Sequence, residues 1–187
     1  MYELFEAGIR GGLSFVNKHH SQHREGEVEL LYVDVNNLYG VALSDPLSYA
    51  EFCWVFDQVH LQNLLQSLPT LDCLKCDHGF IIEVDIFIPR NLHNFMIDLP
   101  IAPDHMIPPP QLYGGNDGAK CSKLVTNLLP KTKYIVHFRL LQLFLQLGGV
   151  VTHIHRAVTF KQAPIFKSYI EYNTERRKQS DNPFNKN

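Results

Sequence analysis

The sequence lacks a second cysteine pair, an excess of positive charge, an apolar run long enough to cross a membrane, and any internal repeat. Each absence excludes something. Of the four cysteines, Cys73 and Cys76 form one C-x-x-C, with His78 two residues on and Cys53 and Cys121 far away. A structural zinc site needs a second ligand pair at comparable spacing, so zinc is set aside and free thiols in a reducing compartment are expected. With 17 Lys and Arg against 19 Asp and Glu, the net charge is −2. Global charge therefore gives no support to nucleic-acid binding, and any such surface has to be local. The first residues, with Glu3 and Glu6, have neither the basic start nor the apolar centre of a secretory leader. The expectation is an intracellular chain, nuclear or cytoplasmic, not secreted and without a membrane partner.

What is present is an ordinary globular composition. At 187 residues, 45% of them hydrophobic, the chain is long enough to bury about 70% of its unfolded surface around one core. Val41-Ala42-Leu43 begins a helix that Pro46 stops. Asp57 caps a helix whose Leu61, Leu64, Leu65 and Leu68 recur at i, i+3, i+4 and i+7, and Pro69 ends it. Trp54 reads as core packing. Phe80 to Ile88 alternates: Ile82, Val84, Ile86 and Ile88 share one face, Glu83 and Asp85 the other. Two carboxylates on one strand face suit metal or acid–base chemistry, but the solvated side of an antiparallel strand is the preferred reading. Residues 89 to 118, punctuated by prolines, read as irregular structure with apolar anchors. Tyr134-Ile135-Val136 reads as a strand, Arg139 to Leu147 as a helix with Gly148 at its C-terminus, and Val150 to Phe160 as a strand carrying His153 and His155 on one face. Two histidines without a third ligand nearby are weak grounds for a metal. A last helix starts near Pro164 and ends on Arg176, Arg177 and Lys178. Strands separated by helices, with an alternating antiparallel face, predict an α+β domain and not a doubly wound sheet.

The most informative stretch is Leu30 to Tyr39. Leu30, Leu31, Tyr32 and Val33 form an apolar run that suits a buried strand, and Asp34 stands at its end before the turn-prone Asn36 and Asn37. A carboxylate there either caps the turn or holds a divalent metal at the tip of a rigid strand with Tyr39 beside it. Further upstream, Arg10-Gly11-Gly12 makes a permissive turn where backbone can approach a phosphate, or simply a surface turn.

Asp34-Val35-Asn36-Asn37-Leu38-Tyr39-Gly40 resembles motif A of the family B DNA polymerases, D-x-x-S-L-Y-P. The form D-x-N-N-L-Y-G is that of the protein-primed branch found in viruses, linear plasmids and Maverick-Polinton transposons, where Asn and Gly likewise replace the usual Ser and Pro. Gly8 to Gly12 resembles the Y-x-G-G/A element of that branch, with Ile9 in place of Tyr. Tyr169 to Lys178 resembles the first fingers helix, which precedes motif B. The resemblance implies a palm-type antiparallel sheet, in which Tyr32 to Asp34 and Ile81 to Ile88 would be antiparallel partners, with packed helices and the start of a helical fingers subdomain. Its divisions would be a pre-palm element and loop over 8–29, a palm with an insertion over 30–160, and fingers over 163–187.

The function implied is template-directed nucleotidyl transfer in DNA replication, with two Mg²⁺ ions clamping the attacking and leaving oxygens. Asp34 would ligate the metals and Val35 would offer its carbonyl. Asn37, Leu38 and Tyr39 would hold the nucleotide, with Tyr39 closing the sugar pocket. Arg177 and Lys186 would meet the triphosphate, and Arg10, Gly11 and Gly12 the template DNA. Partners would be primer-template DNA, deoxynucleoside triphosphates and a terminal priming protein. Motifs B and C are not in the sequence, so the chain by itself is expected to be an inactive fragment. Two other functions stay open: a non-catalytic DNA- or nucleotide-binding remnant, and a metal-dependent nuclease using Asp34, Glu83 and Asp85.

Overall fold

The computed structural model describes residues 1–14, 20–97, 101–108 and 121–180. The fold is α+β, built on a curled antiparallel sheet. In chain order the elements are α1 (Tyr2–Gly8), α2 (Leu38–Ser44), β1 (Leu47–Val55), α3 (Gln58–Ser67), β2 (His78–Phe87), α4 (His93–Met96), β3 (Asp104–Met106), β4 (Lys123–Val125), β5 (Lys131–His137), α5 (Phe138–Gln146), β6 (Val150–Ala163) and α6 (Lys167–Gln179). The main sheet has the order β1-β6-β2-β5, and β3 and β4 make a separate antiparallel pair.

The chain divides into two compact units. The first comprises Met1–His20, Trp54–Leu71 and Phe80–Val158. Its core follows from the periodicities. Ile82, Val84 and Ile86 of β2 are buried, as alternation requires. Leu61 and Leu64 of α3 are buried with Leu68, and the Asp57 carboxylate accepts from the Val59 amide at 3.1 Å, which caps that helix. Gln142 of α5 donates to the Leu68 and Leu71 carbonyls at 2.7 and 2.6 Å, tying α5 to the turn after α3. Helix α5 ends in a Schellman motif. Gly148 adopts φ +92°, its amide meets the Leu145 carbonyl and the Gly149 amide meets the Phe144 carbonyl. Trp54 is partly buried and packs on the cluster of Leu4, Ile135 and Val158.

The second unit comprises Ser21–Cys53, Asp72–Gly79 and Thr159–Asn187. Here Phe160 is buried beside Phe52, with ring centroids 5.9 Å apart. Gln162 latches the cysteine turn by donating to the Cys73 and Cys76 carbonyls at 2.9 and 2.8 Å. Both cysteines are free thiols, and burial pushes the Cys76 thiol up, away from the thiolate that zinc needs.

Three expectations are corrected. The run Leu30–Val33 forms no strand: it has no regular secondary structure, and Tyr32 is 94% exposed. Nor does Tyr32–Asp34 pair with Ile81–Ile88: the first belongs to the second unit and the other to the first, which counts against a palm sheet. The neighbours of β2 are β6 on one side and β5 on the other, so no hydrogen-bonding edge is left for a third strand. The free edges of the sheet are those of β1 and β5, and the run pairs with neither. Finally, the segment 89 to 118, expected to be irregular, contains α4 and β3 in its described part.

Candidate functional site

Asp34 and Val35 lie in exposed coil that leads into the turn Asn36-Asn37. Asn37 takes the left-handed conformation (φ 54°, ψ 45°), which Asn tolerates better than most side chains, and starts α2 as its N-cap. The Val41 amide donates to the Asn37 carbonyl at 3.0 Å. Gly40 is buried against the same residue: a Cβ built on it would come within 2.2 Å of the Asn37 amide nitrogen. The missing side chain at Gly40 is what lets the Asn37 amide lie over the first turn of α2. Leu38 and Tyr39 face outward, and Tyr39 is 85% exposed.

In the same unit α2 is in contact with α6. A cavity of about 650 Å³ lies along them, with Asn36, Asn37 and Ser44 on one wall and Lys167, Thr174 and Lys178 on the other. A second cavity of about 480 Å³ shares Asn36, Asn37, Thr174 and Lys178 and adds Arg177. Positions 167, 170, 171, 174 and 178 are one face of a helix of 3.6 residues per turn. That spacing was legible, and it would have added Lys167, Thr174 and Lys178 to Arg177 as candidates. The cations are not alone on it. Lys167 and Lys178 lie 3.9 Å from Glu171 and Glu175, in exposed pairs worth only about 0.3–0.5 kcal/mol each. Such pairs open readily for a stronger anion. Lys186 is outside the described residues.

A single carboxylate does not fit a two-metal site. Asp34 is the one acidic side chain of its motif. Among the described residues no three His, Cys, Asp or Glu side chains are grouped to hold a metal ion. The β2 carboxylates, expected to be solvated, are engaged instead. Glu83 is 7% exposed and accepts from the Arg156 Nε at 2.5 Å, and Arg156 also stands over the Trp54 ring. Asp85 receives the His155 Nε2 at 2.8 Å and the Lys133 amide at 2.7 Å; the His155 contact first, then that amide, holds its carboxyl below the usual range. The rings of His153 and His155 meet edge to face, 4.5 Å apart.

Arg10 is turned inward. Its Nη1 donates to the Gly8 and Ile135 carbonyls at 3.0 and 2.6 Å, and its guanidinium stacks 3.8 Å over the Tyr134 ring. Gly11 (φ +78°) and Gly12 are exposed, with open space where a Cβ would stand.

No family model, curated protein or solved structure matches the chain. Among the described residues, no helix is long and apolar enough to cross a membrane.

Because Asn37 occupies the space over Gly40, Gly40→Ala separates packing from binding. Ala is the better helix former by about 1 kcal/mol, so the urea midpoint should hold or rise. The Asn37 side chain must swing away, so any ligand in the α2–α6 cleft should bind several-fold more weakly. Unchanged affinity, by titration calorimetry, would remove Asn37 from the cleft's function.

Proposed function

We propose that this chain carries the nucleotide-binding part of a protein-primed family B DNA polymerase. The observation that carries the reading is the shared cavity of Asn37 and Arg177. These residues lie far apart in the sequence, each is implicated by a separate motif, and they line one cleft of a single unit. The cleft offers what a deoxynucleoside triphosphate requires. Arg177 and Lys178 supply cations for charge-assisted bonds to phosphate oxygens, and Asn36 and Asn37 supply amide donors and acceptors. Tyr39 stands exposed in the first turn of α2, outside the lining of the cleft, and its place against the sugar rests on the resemblance. Asp34 would contribute one carboxylate to the Mg²⁺ ions of the complete enzyme. Gly11 and Gly12 present open backbone to template DNA.

Binding is tested on this chain with dATP. Arg177→Ala should weaken it by roughly tenfold, the worth of one charge-assisted contact. Equal affinity in the variant would sink the assignment. Transfer is a separate matter. This chain alone should not extend a primer, because two-metal chemistry takes carboxylates from more than one segment. Extension above background that Asp34→Ala abolishes would overturn that. In the full polymerase, Tyr39→Val should raise ribonucleotide use relative to deoxyribonucleotide use by removing a steric gate. At 85% exposure Tyr39 is not a core residue here, so equal loss on both substrates would leave it no role in sugar selection.

A non-catalytic nucleotide-binding remnant is the second reading, favoured by the lone carboxylate of the motif. The nuclease reading is weaker, since Glu83 and Asp85 already serve Arg156 and His155.

A further inference from the structure

We infer that the cavity between α1 and β5 is a binding site for a small planar apolar molecule bearing one anionic oxygen group. The cavity, of about 400 Å³, lies within the first unit and falls in the size range of small-ligand sites. Phe5, Ile9, Ile81 and Leu140 give it apolar walls. Its polar feature is Arg10, and Arg10 is only half satisfied. Nη1 is spent on two neutral carbonyls, while Nε is buried and has no acceptor among the described residues. A guanidinium left short of acceptors favours an oxygen group beside it; a ligand in the cavity would meet Arg10 from that side and reach the buried Nε as the guanidinium turns. The stacking of the guanidinium on Tyr134 fixes its plane, which suits a carboxylate or similar flat group. His137 on the same wall adds no charge at neutral pH, since burial, with a smaller push from Arg139, holds it at about 4. Lys131 and Asp104 stand nearby with opposite charges: burial lowers the Lys131 pKa, the Asp104 carboxylate opposes that, and Arg10 adds a smaller push downward. The site is independent of the α2–α6 cleft and of the function proposed for it.

The test uses the whole chain with 2-naphthoate and, as its cationic counterpart, (2-naphthyl)methylammonium, each titrated by calorimetry and followed by ligand-observed NMR. Saturable binding of naphthoate is expected, at least about tenfold tighter than that of the ammonium compound. Arg10→Met should lose about tenfold in naphthoate affinity. Leu140→Trp, at a partly exposed position of α5, fills the cavity and should abolish binding while circular dichroism shows the fold retained. No saturable binding of naphthoate, equal affinity for the cation, or full binding by folded Leu140→Trp protein would each overturn the inference.

Discussion

Replacing Phe138 by Ala should destabilise the protein by about 3–5 kcal/mol, a large part of the 5–15 kcal/mol that holds a typical domain together. Phe138 is 0% exposed, stands where β5 passes into α5, and meets Phe80 edge to face at 6.2 Å between centroids. Truncation removes its transfer energy and leaves a void between a strand and a helix joined to each other, which cannot close by a rigid shift of either. Phe138→Leu keeps most of the volume and should cost less than half as much. Urea denaturation with a common slope measures both. A loss below about 1 kcal/mol for the Ala variant would mean that the ring is not the anchor of α5.

The second large effect is on pH dependence. Burial first, then the Arg139 charge, holds His137 at about 4, against 6.5 for an unburied histidine. The sign follows from proton counting. As pH falls below 6.5 the unfolded chain takes up a proton that the folded chain refuses, so stability is lost until pH reaches about 4. At about 1.36 kcal/mol per pH unit, the full loss is up to about 3 kcal/mol. The His137 ring also receives the Arg139 amide at 3.4 Å and so caps α5. His137→Asn keeps an acceptor at that cap but cannot titrate. The variant and the parent should therefore differ in urea midpoint by an amount that changes between pH 7 and pH 4.5, with the parent falling faster. Parallel curves would show that His137 is open to protons in the folded state.

Where the pattern was periodic, the sequence was enough. β2, α3, α5 and β6 follow from alternation or from i, i+3, i+4 spacing, because burial on one face acts on every second or every third and fourth residue. β1 escaped notice because its inward residues do not alternate, and Glu51 (φ 56°) breaks its pleat. The motif segment misled in the opposite way. Leu30–Val33 has the composition of a strand, but a strand also needs a partner that it meets in register, and composition carries no information about partners. Asn37 and Arg177 could each be named from a motif, but their shared cavity is a product of the contact between α2 and α6. The inward turn of Arg10 depends on Tyr134 and Ile135, far along the chain, and had no local signal.

One irregularity in the sheet decides how the gene can change length. Val84 faces Tyr134 and Ile86 faces Lys131, so Asp85 alone is set against both Thr132 and Lys133. The surplus residue is absorbed at Lys133, whose φ is +51° and whose amide bonds the Asp85 carboxylate. This is why Tyr134 and Lys131, an odd number of positions apart, are both buried, the Lys131 ammonium being met by the Asn127 side chain at 2.8 Å. A codon lost elsewhere in β5 would exchange the residues of its two faces, both of which are packed at Tyr134, Ile135 and Val136. A codon lost at 132 or 133 would only straighten the ladder. Of single-residue deletions made along β5, only those at 132 or 133 should leave the protein folded.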